Sequence, residues 1–255
     1  MAKRMDNFLE EELRPKHNLR VSYWDGFRFG FGFLIAWCAG MRAQDGTASL
    51  HVRVAVQHSA KADNPSDNSG VVIWLTPLSS KGPSRAVVPQ QGFRLVQKNK
   101  RFEPHMIVVP VGSTVDFPNQ DPFFHNVFSL YKGKRFDLGF YEAGSSRSVR
   151  FDRPGVSFIF CNIHPEMNAV VLALETNDYA VSNSAGEAEI ARLTPGKYRV
   201  NFWFQNSSPE LLAALSREVD VAGNVRIDNV VVPEVTVSMT HKNKFGQDYE
   251  IKSTY

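Results

Sequence analysis

This sequence contains little cysteine, no long apolar run and no strong excess of charge. Two cysteines among 255 residues rule out a fold held together by several disulfides. Lys and Arg number 29 while Asp and Glu number 26, so the chain lacks the basic surface that nucleic-acid binding requires. The hydrophobic fraction of 43% and the charged fraction of 22% are ordinary for a folded globular protein.

The longest apolar run, Phe27–Gly40, is roughly a dozen residues long, which is too short to span a membrane but suits the core of a signal peptide. Small residues follow it, so residues 1–43 are predicted to be a leader that is removed on export to the periplasm, with an uncleaved N-terminal anchor as the alternative. Removal of the leader leaves no stable membrane span and a net charge of about +1. It also removes Cys38, so Cys161 has no partner for an intramolecular disulfide.

Period-two alternation predicts β structure in most of the remaining chain. Leu50, Val52, Val54 and Val56 alternate with more polar residues, as in a half-buried strand. Short strand patterns separated by turn residues continue to residue 174, and a second group runs from about residue 179 to 232. We therefore expect an all-β protein with one domain at 44–176, a smaller one at 177–237, and a polar tail at 238–255 that either docks or is disordered. The segment 209–216 is predicted to be a short helix or an ordered loop.

Metal-ligating residues are grouped around the single thiol. Cys161, His164 and Met167 follow the spacing Cys-x-x-His-x-x-Met between two predicted strands, and His125 lies 36 positions upstream. Soft sulfur suits Cu(I) and imidazole nitrogen suits Cu(II), so this set accommodates both oxidation states of one copper ion. His105 is expected to be an ordinary surface histidine. The chain has no His-x-His pair, which argues against a multicopper oxidase.

The order of these motifs resembles that of the cupredoxins, the blue copper proteins. The resemblance rests on Phe102-x-Pro104, on Val111-Gly112-Ser113-Thr114-Val115-x-Phe117-x-Asn119, on His125-Asn126 and on the Cys161 loop. Pro165 directly after His164 is similar to the amicyanin type of ligand loop. The whole arrangement resembles bacterial proteins of the methylamine-utilization-like type, in which a carboxypeptidase-regulatory-like β-sandwich follows the cupredoxin domain.

The resemblance implies a cupredoxin Greek-key β-sandwich followed by a smaller sandwich of the Ig-like or transthyretin-like kind. It implies equatorial copper ligands at His125, Cys161 and His164, with Met167 as the axial ligand. Asn126 would connect the ligand strand to the Cys161 loop by hydrogen bonds, outside the ligand shell itself.

These expectations lead to two hypotheses about function. The first is a periplasmic type 1 copper protein that carries one electron between redox proteins and has no bond chemistry of its own, so it is not an enzyme. The second is a copper delivery or storage protein that uses the same four ligands without electron transfer. A third reading, a two-domain adhesive module with a vestigial site, requires that Cys161 be dispensable.

Overall fold

The structure is a computed structural model that describes residues 48–58, 66–79, 87–130, 133–235 and 242–249. The predicted leader lies outside these residues. The described part is built from β strands: β1 (Ala48–Gln57), β2 (Val72–Pro77), β3 (Phe93–Arg94), β4 (Val96–Lys98), β5 (Arg101–Glu103), β6 (Met106–Pro110), β7 (Thr114–Pro118), β8 (His125–Ser129), β9 (Phe136–Tyr141), β10 (Ser146–Arg150), β11 (Gly155–Cys161), β12 (Asn168–Leu174), β13 (Tyr179–Val181), β14 (Glu187–Leu193), β15 (Gly196–Trp203), β16 (Arg217–Val221) and β17 (Asn224–Pro233).

The helix α1 (Pro209–Leu215) confirms the predicted short helix. The Ser208 side chain caps it by accepting a hydrogen bond from the N–H of Leu211 at 3.3 Å, and Pro209 occupies its first turn, where no N–H is needed. Leu212 is its buried residue. Within the part of the chain that the structure describes, no helix is long and apolar enough to cross a membrane.

One pair of sheets carries the predicted metal ligands. A five-stranded sheet in the order β6-β12-β11-β8-β9 is accompanied by a three-stranded sheet in the order β10-β7-β3. Alternate residues of each strand, such as Ile159 and Cys161 on β11 and Val115 and Phe117 on β7, share one buried apolar core. Cys161 is thus the last inward-facing residue of its strand, at one end of this core.

A second pair of sheets has the strand orders β14-β1-β17 and β13-β2-β15-β16. The buried positions of β1 alternate as predicted, and Leu50, Val52 and Val54 lie in the core of this pair. At its β14–β15 turn, the hydroxyl of the buried Tyr198 donates to the carbonyl of Thr194 at 2.6 Å. The described residues are therefore all-β apart from the short helix.

Strand pairing crosses the predicted domain boundary after residue 176. The strand β1 runs parallel to β17 and antiparallel to β14, while β2 pairs with β13 and β15. Residues 48–77 therefore share their sheets with residues 179–233 and not with the ligand-bearing strands. Alternation predicts which side chains of a strand are buried, but it carries no information about which distant strand completes the sheet.

Candidate metal centre

The loop that contains the predicted ligands is closed by backbone hydrogen bonds. The N–H of Cys161 donates to the carbonyl of Met167 at 3.1 Å, and the N–H of Met167 donates to the carbonyl of His164 at 3.0 Å. Cys161 is also paired with Val127 of β8, the strand that begins at His125. Strand pairing and a short loop thereby bring residues 36 positions apart to one point.

Three donor atoms converge at that point. The thiol sulfur of Cys161 lies 3.5 Å from Nδ1 of His125 and 3.6 Å from Nδ1 of His164. All three atoms lie within 4.8 Å of one another, and Cys161 and His125 are buried. Bond lengths of about 2.0–2.1 Å to nitrogen and about 2.3 Å to sulfur at a tetrahedral angle would separate the two donors by about 3.6 Å. The cluster therefore has the dimensions needed to hold one metal ion.

Met167 and His105 are located differently with respect to this cluster. Met167 is fully buried and belongs to the same apolar core as Cys161. Its role as an axial ligand stays a prediction. His105 is exposed and its Nε2 lies 2.8 Å from the side-chain oxygen of Gln205, outside the cluster, as expected for an ordinary histidine.

Asp121 contacts the first histidine and was missed by the sequence reasoning. Its Oδ2 lies 2.8 Å from Nε2 of His125, and both side chains are almost completely buried. Because Nε2–H donates a hydrogen bond to this carboxylate, Nδ1 carries the lone pair of the ring, and this lone pair faces the sulfur of Cys161. Its position four residues before a candidate ligand could have suggested Asp121 from the sequence, although spacing alone does not show where a carboxylate points.

The β4–β5 turn holds Asp121 in place. Both residues of the turn, Asn99 and Lys100, have positive φ angles of 53° and 55°. Their backbone N–H groups donate to the Asp121 carboxylate at 2.6 and 3.0 Å. Burial by itself raises the pKa of Asp121, but the hydrogen bonds from Lys100, His125 and Asn99 outweigh burial and lower that pKa. The carboxylate is therefore ionised and available to orient His125 at neutral pH.

Burial shifts the protonation of two of the three donors. It raises the pKa of the Cys161 thiol, although the backbone N–H groups of Asn126, Ile163 and His164 oppose this shift by stabilising the thiolate. Burial lowers the pKa of His164, and the electrostatic effects of the neighbouring His125 and Lys100 lower it further. His164 is thus a neutral imidazole at neutral pH, and a bound cation would displace the proton of Cys161.

Asn126 connects the two ligand-bearing elements through its backbone. Its carbonyl accepts the N–H of Asn162, in the Cys161 loop, at 3.0 Å. Its side chain instead donates to Asp137 on β9 at 2.6 Å, so the expected connection is made by the main chain. Among the described residues, the side-chain oxygen of Asn126 is buried without a hydrogen-bond partner.

Phe123 shields one side of the two imidazoles. Its ring centroid lies 5.2 Å from that of His125 and 5.6 Å from that of His164, and the two imidazole centroids are 5.0 Å apart. Asn119 fixes this aromatic residue, because its side-chain N–H donates to the carbonyl of Phe123 at 2.7 Å. His164, unlike His125, is only partly buried, so one imidazole of the cluster reaches the surface.

Comparisons with known proteins give similarity to cupredoxins over part of the chain. No family model and no curated protein matches the sequence. A Cu-containing nitrite reductase from Thermus scotoductus aligns at 22% identity over 39% of this chain and 25% of the reductase, with a TM-score of 0.32. A purple cupredoxin from Nitrosopumilus maritimus aligns at 23% identity over 32% of this chain and all of its own, with a TM-score of 0.30. Amicyanin from Paracoccus versutus aligns at 23% identity over 39% of this chain and 97% of its own, with a TM-score of 0.31.

This chain therefore spans only a quarter of the reductase, but almost all of the two smaller proteins.

Proposed function

We propose that this chain is an exported type 1 copper protein that carries single electrons between redox proteins. The observation that supports this proposal is the convergence of the Cys161 sulfur with the Nδ1 atoms of His125 and His164, at separations of 3.5 and 3.6 Å. One thiolate and two imidazoles, with a buried methionine nearby, form the donor set typical of blue copper sites. A bound copper ion would supply one-electron chemistry between Cu(I) and Cu(II).

The residues of the chain contribute rigidity to that chemistry. His125 is held by Asp121, and Cys161 is held by its backbone bond to Met167. Because the donors are already within bonding distance of one point, little movement is needed when the charge of the ion changes. This preorganisation favours electron transfer over a delivery role, in which ligands must open to release copper. Met167 is proposed as the weak axial ligand.

An apolar surface around His164 is proposed as the place where a redox partner docks. Four large apolar side chains on elements near the cluster are exposed, namely Phe124, Phe140, Ile163 and Phe245, with exposures of 55%, 52%, 42% and 72%. Exposed large apolar side chains in one region are typical of protein interaction sites. A partner with a complementary apolar face would approach the partly exposed imidazole of His164, whose Nδ1 lies 3.6 Å from the Cys161 sulfur.

Spectroscopy of the copper-loaded protein tests the proposal. We expect an intense visible band from charge transfer between the Cys161 thiolate and Cu(II), a matching EPR signal and a reversible one-electron potential. Cys161→Ser should abolish the band, while His105→Ala, which removes a histidine outside the cluster, should leave it unchanged. A colourless protein without a reversible potential after copper loading would refute electron transfer. Rapid loss of copper to chelators would support delivery or storage.

Export is a separate part of the proposal and rests on the apolar run before residue 44. N-terminal sequencing of the protein recovered from the periplasm should begin near residue 44. Recovery of the chain from the cytoplasm with residues 1–43 intact would contradict export while leaving the copper proposal standing.

A further inference from the structure

The C-terminal strap, which we define as residues 242–249, contacts the elements that hold the proposed ligands. The hydroxyl of Tyr249 donates to the backbone carbonyl of Cys161 at 2.7 Å. The backbone N–H of Lys244 donates to the side-chain oxygen of Asn162 at 2.9 Å. The ammonium of Lys244 donates to Oδ2 of Asp137 at 2.7 Å. The polar tail of the sequence is therefore docked over the Cys161 loop in this segment.

The strap has a local structure that presents these groups. The side-chain oxygen of Asn243 accepts the N–H groups of Phe245 and Gln247 at 2.9 and 3.0 Å. The backbone N–H of Asn243 donates to the carbonyl of Gln247 at 2.9 Å, which closes the turn. The turn places Lys244 between two aromatic rings, with its ammonium 5.8 Å from the centroid of Phe140 and 5.3 Å from that of Phe245.

The contact from Tyr249 completes a clamp on the backbone of Cys161. On one side of this residue, its N–H is bonded to the carbonyl of Met167 at 3.1 Å. On the other side, its carbonyl is bonded to Tyr249. With both backbone groups bonded, rotation of the Cys161 peptide units would break at least one hydrogen bond, so the direction of the Cα–Cβ bond that carries the sulfur is held from both sides.

Lys244 acts on the neighbouring ligand strand through Asp137. The two oxygens of this carboxylate divide their partners: Oδ2 accepts the Lys244 ammonium, while Oδ1 accepts the side-chain N–H of Asn126 at 2.6 Å and the N–H of Gly139 at 2.9 Å. Asn126 follows His125 directly in β8. The strap is thus connected to the thiol side of the cluster through Tyr249 and to the first histidine side through Asp137.

We propose that Tyr249 and Lys244 are positioning residues, which make the C-terminal strap a structural part of the metal centre by fixing the Cys161 loop against β8 and β9. This inference rests on the proposed function for its consequence in the copper-loaded protein, but the fixing of the loop applies equally to the metal-free chain. Loss of the strap should loosen the geometry of the sulfur without removing any donor atom.

Alkylation of Cys161 in the metal-free full chain tests the fixing of the loop. Because Cys161 is completely buried, a small reagent such as iodoacetamide reaches it only through local opening. We expect Tyr249→Phe to react about fivefold faster than the wild type, which corresponds to loss of about 1 kcal/mol from one hydrogen bond. Mass spectrometry of the Cys161 peptide gives the rate independently of Cys38.

Tyr179→Phe is the matched control, because the Tyr179 hydroxyl also donates to a backbone carbonyl, that of Val108 at 3.2 Å, away from the cluster. The control should react at the wild-type rate. Equal rates for Tyr249→Phe and the wild type would overturn the inference. Lys244→Met provides an independent variant that keeps the length of the side chain. Its control is Lys134→Met, which removes a comparable ion pair with Asp152 at 2.8 Å.

Spectra of the copper-loaded protein distinguish a failure of the strap proposal from a failure of the copper proposal. With copper bound, the EPR hyperfine splitting and the visible band should shift in Tyr249→Phe and in Lys244→Met but not in the two controls. Shifted alkylation rates in a chain that never becomes blue would support the strap and refute the copper proposal. A blue site with identical spectra and identical alkylation rates in all variants would support the copper proposal and overturn the strap.

Discussion

Replacing Asp121 with asparagine would keep the size of this buried side chain but exchange one carboxylate oxygen for an NH₂ group. In the structure, Oδ1 accepts the N–H of Asn99 at 2.6 Å, and Oδ2 accepts that of Lys100 at 3.0 Å and contacts Nε2 of His125 at 2.8 Å. An amide cannot satisfy all three groups, because its NH₂ faces a donor in either orientation. The variant therefore loses at least one hydrogen bond and the negative charge that orients His125.

The cost should appear both in metal affinity and in stability. Loss of a hydrogen-bond partner outside the ligand shell typically weakens metal binding by about 10- to 100-fold, or about 1.4–2.8 kcal/mol. The metal-free protein should lose about 1.5 kcal/mol in its free energy of unfolding, the lower end for hydrogen bonds to a charged group. That loss is smaller than the stability of an ordinary domain, so the variant should remain folded.

Competition between the metal-free protein and a chelator of known Cu(II) affinity measures the first quantity, and urea unfolding measures the second. Asp152→Asn is the control, since its carboxylate also bonds a charged partner, Lys134, but on a half-exposed surface away from the cluster. The control should bind copper as tightly as the wild type. A folded Asp121→Asn protein with wild-type copper affinity would refute the orienting role of Asp121.

Three further outcomes are expected. Met167→Leu nearly conserves volume, so the free energy of unfolding should change by less than about 1.5 kcal/mol. The reduction potential measured by voltammetry should rise, because leucine cannot donate to Cu(II) as the methionine sulfur would. An unchanged potential would exclude Met167 as a ligand. Leu50→Ala, in the core between the β14-β1-β17 and β13-β2-β15-β16 sheets, should lower the free energy of unfolding in urea by about 2–5 kcal/mol. It should not move the visible band, since Leu50 is buried away from the cluster. The pKa of Asp137 is raised by burial but lowered further by hydrogen bonds from Lys244, Asn126 and Gly139, with a net decrease from 3.8. The ionised Asp137 carboxylate therefore stabilises the folded protein above about pH 4, and this stabilisation is lost as the pH falls through the lowered pKa. Lys244→Met should reduce the free energy of unfolding by about 0.5 kcal/mol at pH 7, because the pair is half-exposed, and this difference from the wild type should vanish in strong acid. A pH-independent difference would contradict this.

Local patterns in the sequence predict the strands and the ligand loop well. The alternation of Leu50, Val52, Val54 and Val56 is reproduced in the burial of β1, and the Cys161–Met167 loop joins β11 to β12 as expected. Each of these features depends on neighbours within a few positions. One of the two partners of β1 is β17, about 175 positions away, and no local pattern specifies such a pairing.

The sequence by itself determined that Cys161, His164 and Met167 share one short loop, because each lies only three positions from the next between two predicted strands. Only the tertiary structure decided what surrounds them. The pairing of β11 with β8 brings the Nδ1 of His125 to the sulfur, the β4–β5 turn aims Asp121 at the opposite nitrogen of the same ring, and the C-terminal strap reaches Cys161 from 88 positions away. Spacing along the chain constrains distance only over short loops, whereas the direction of a side chain from a distant segment depends on how the sheets pair and pack.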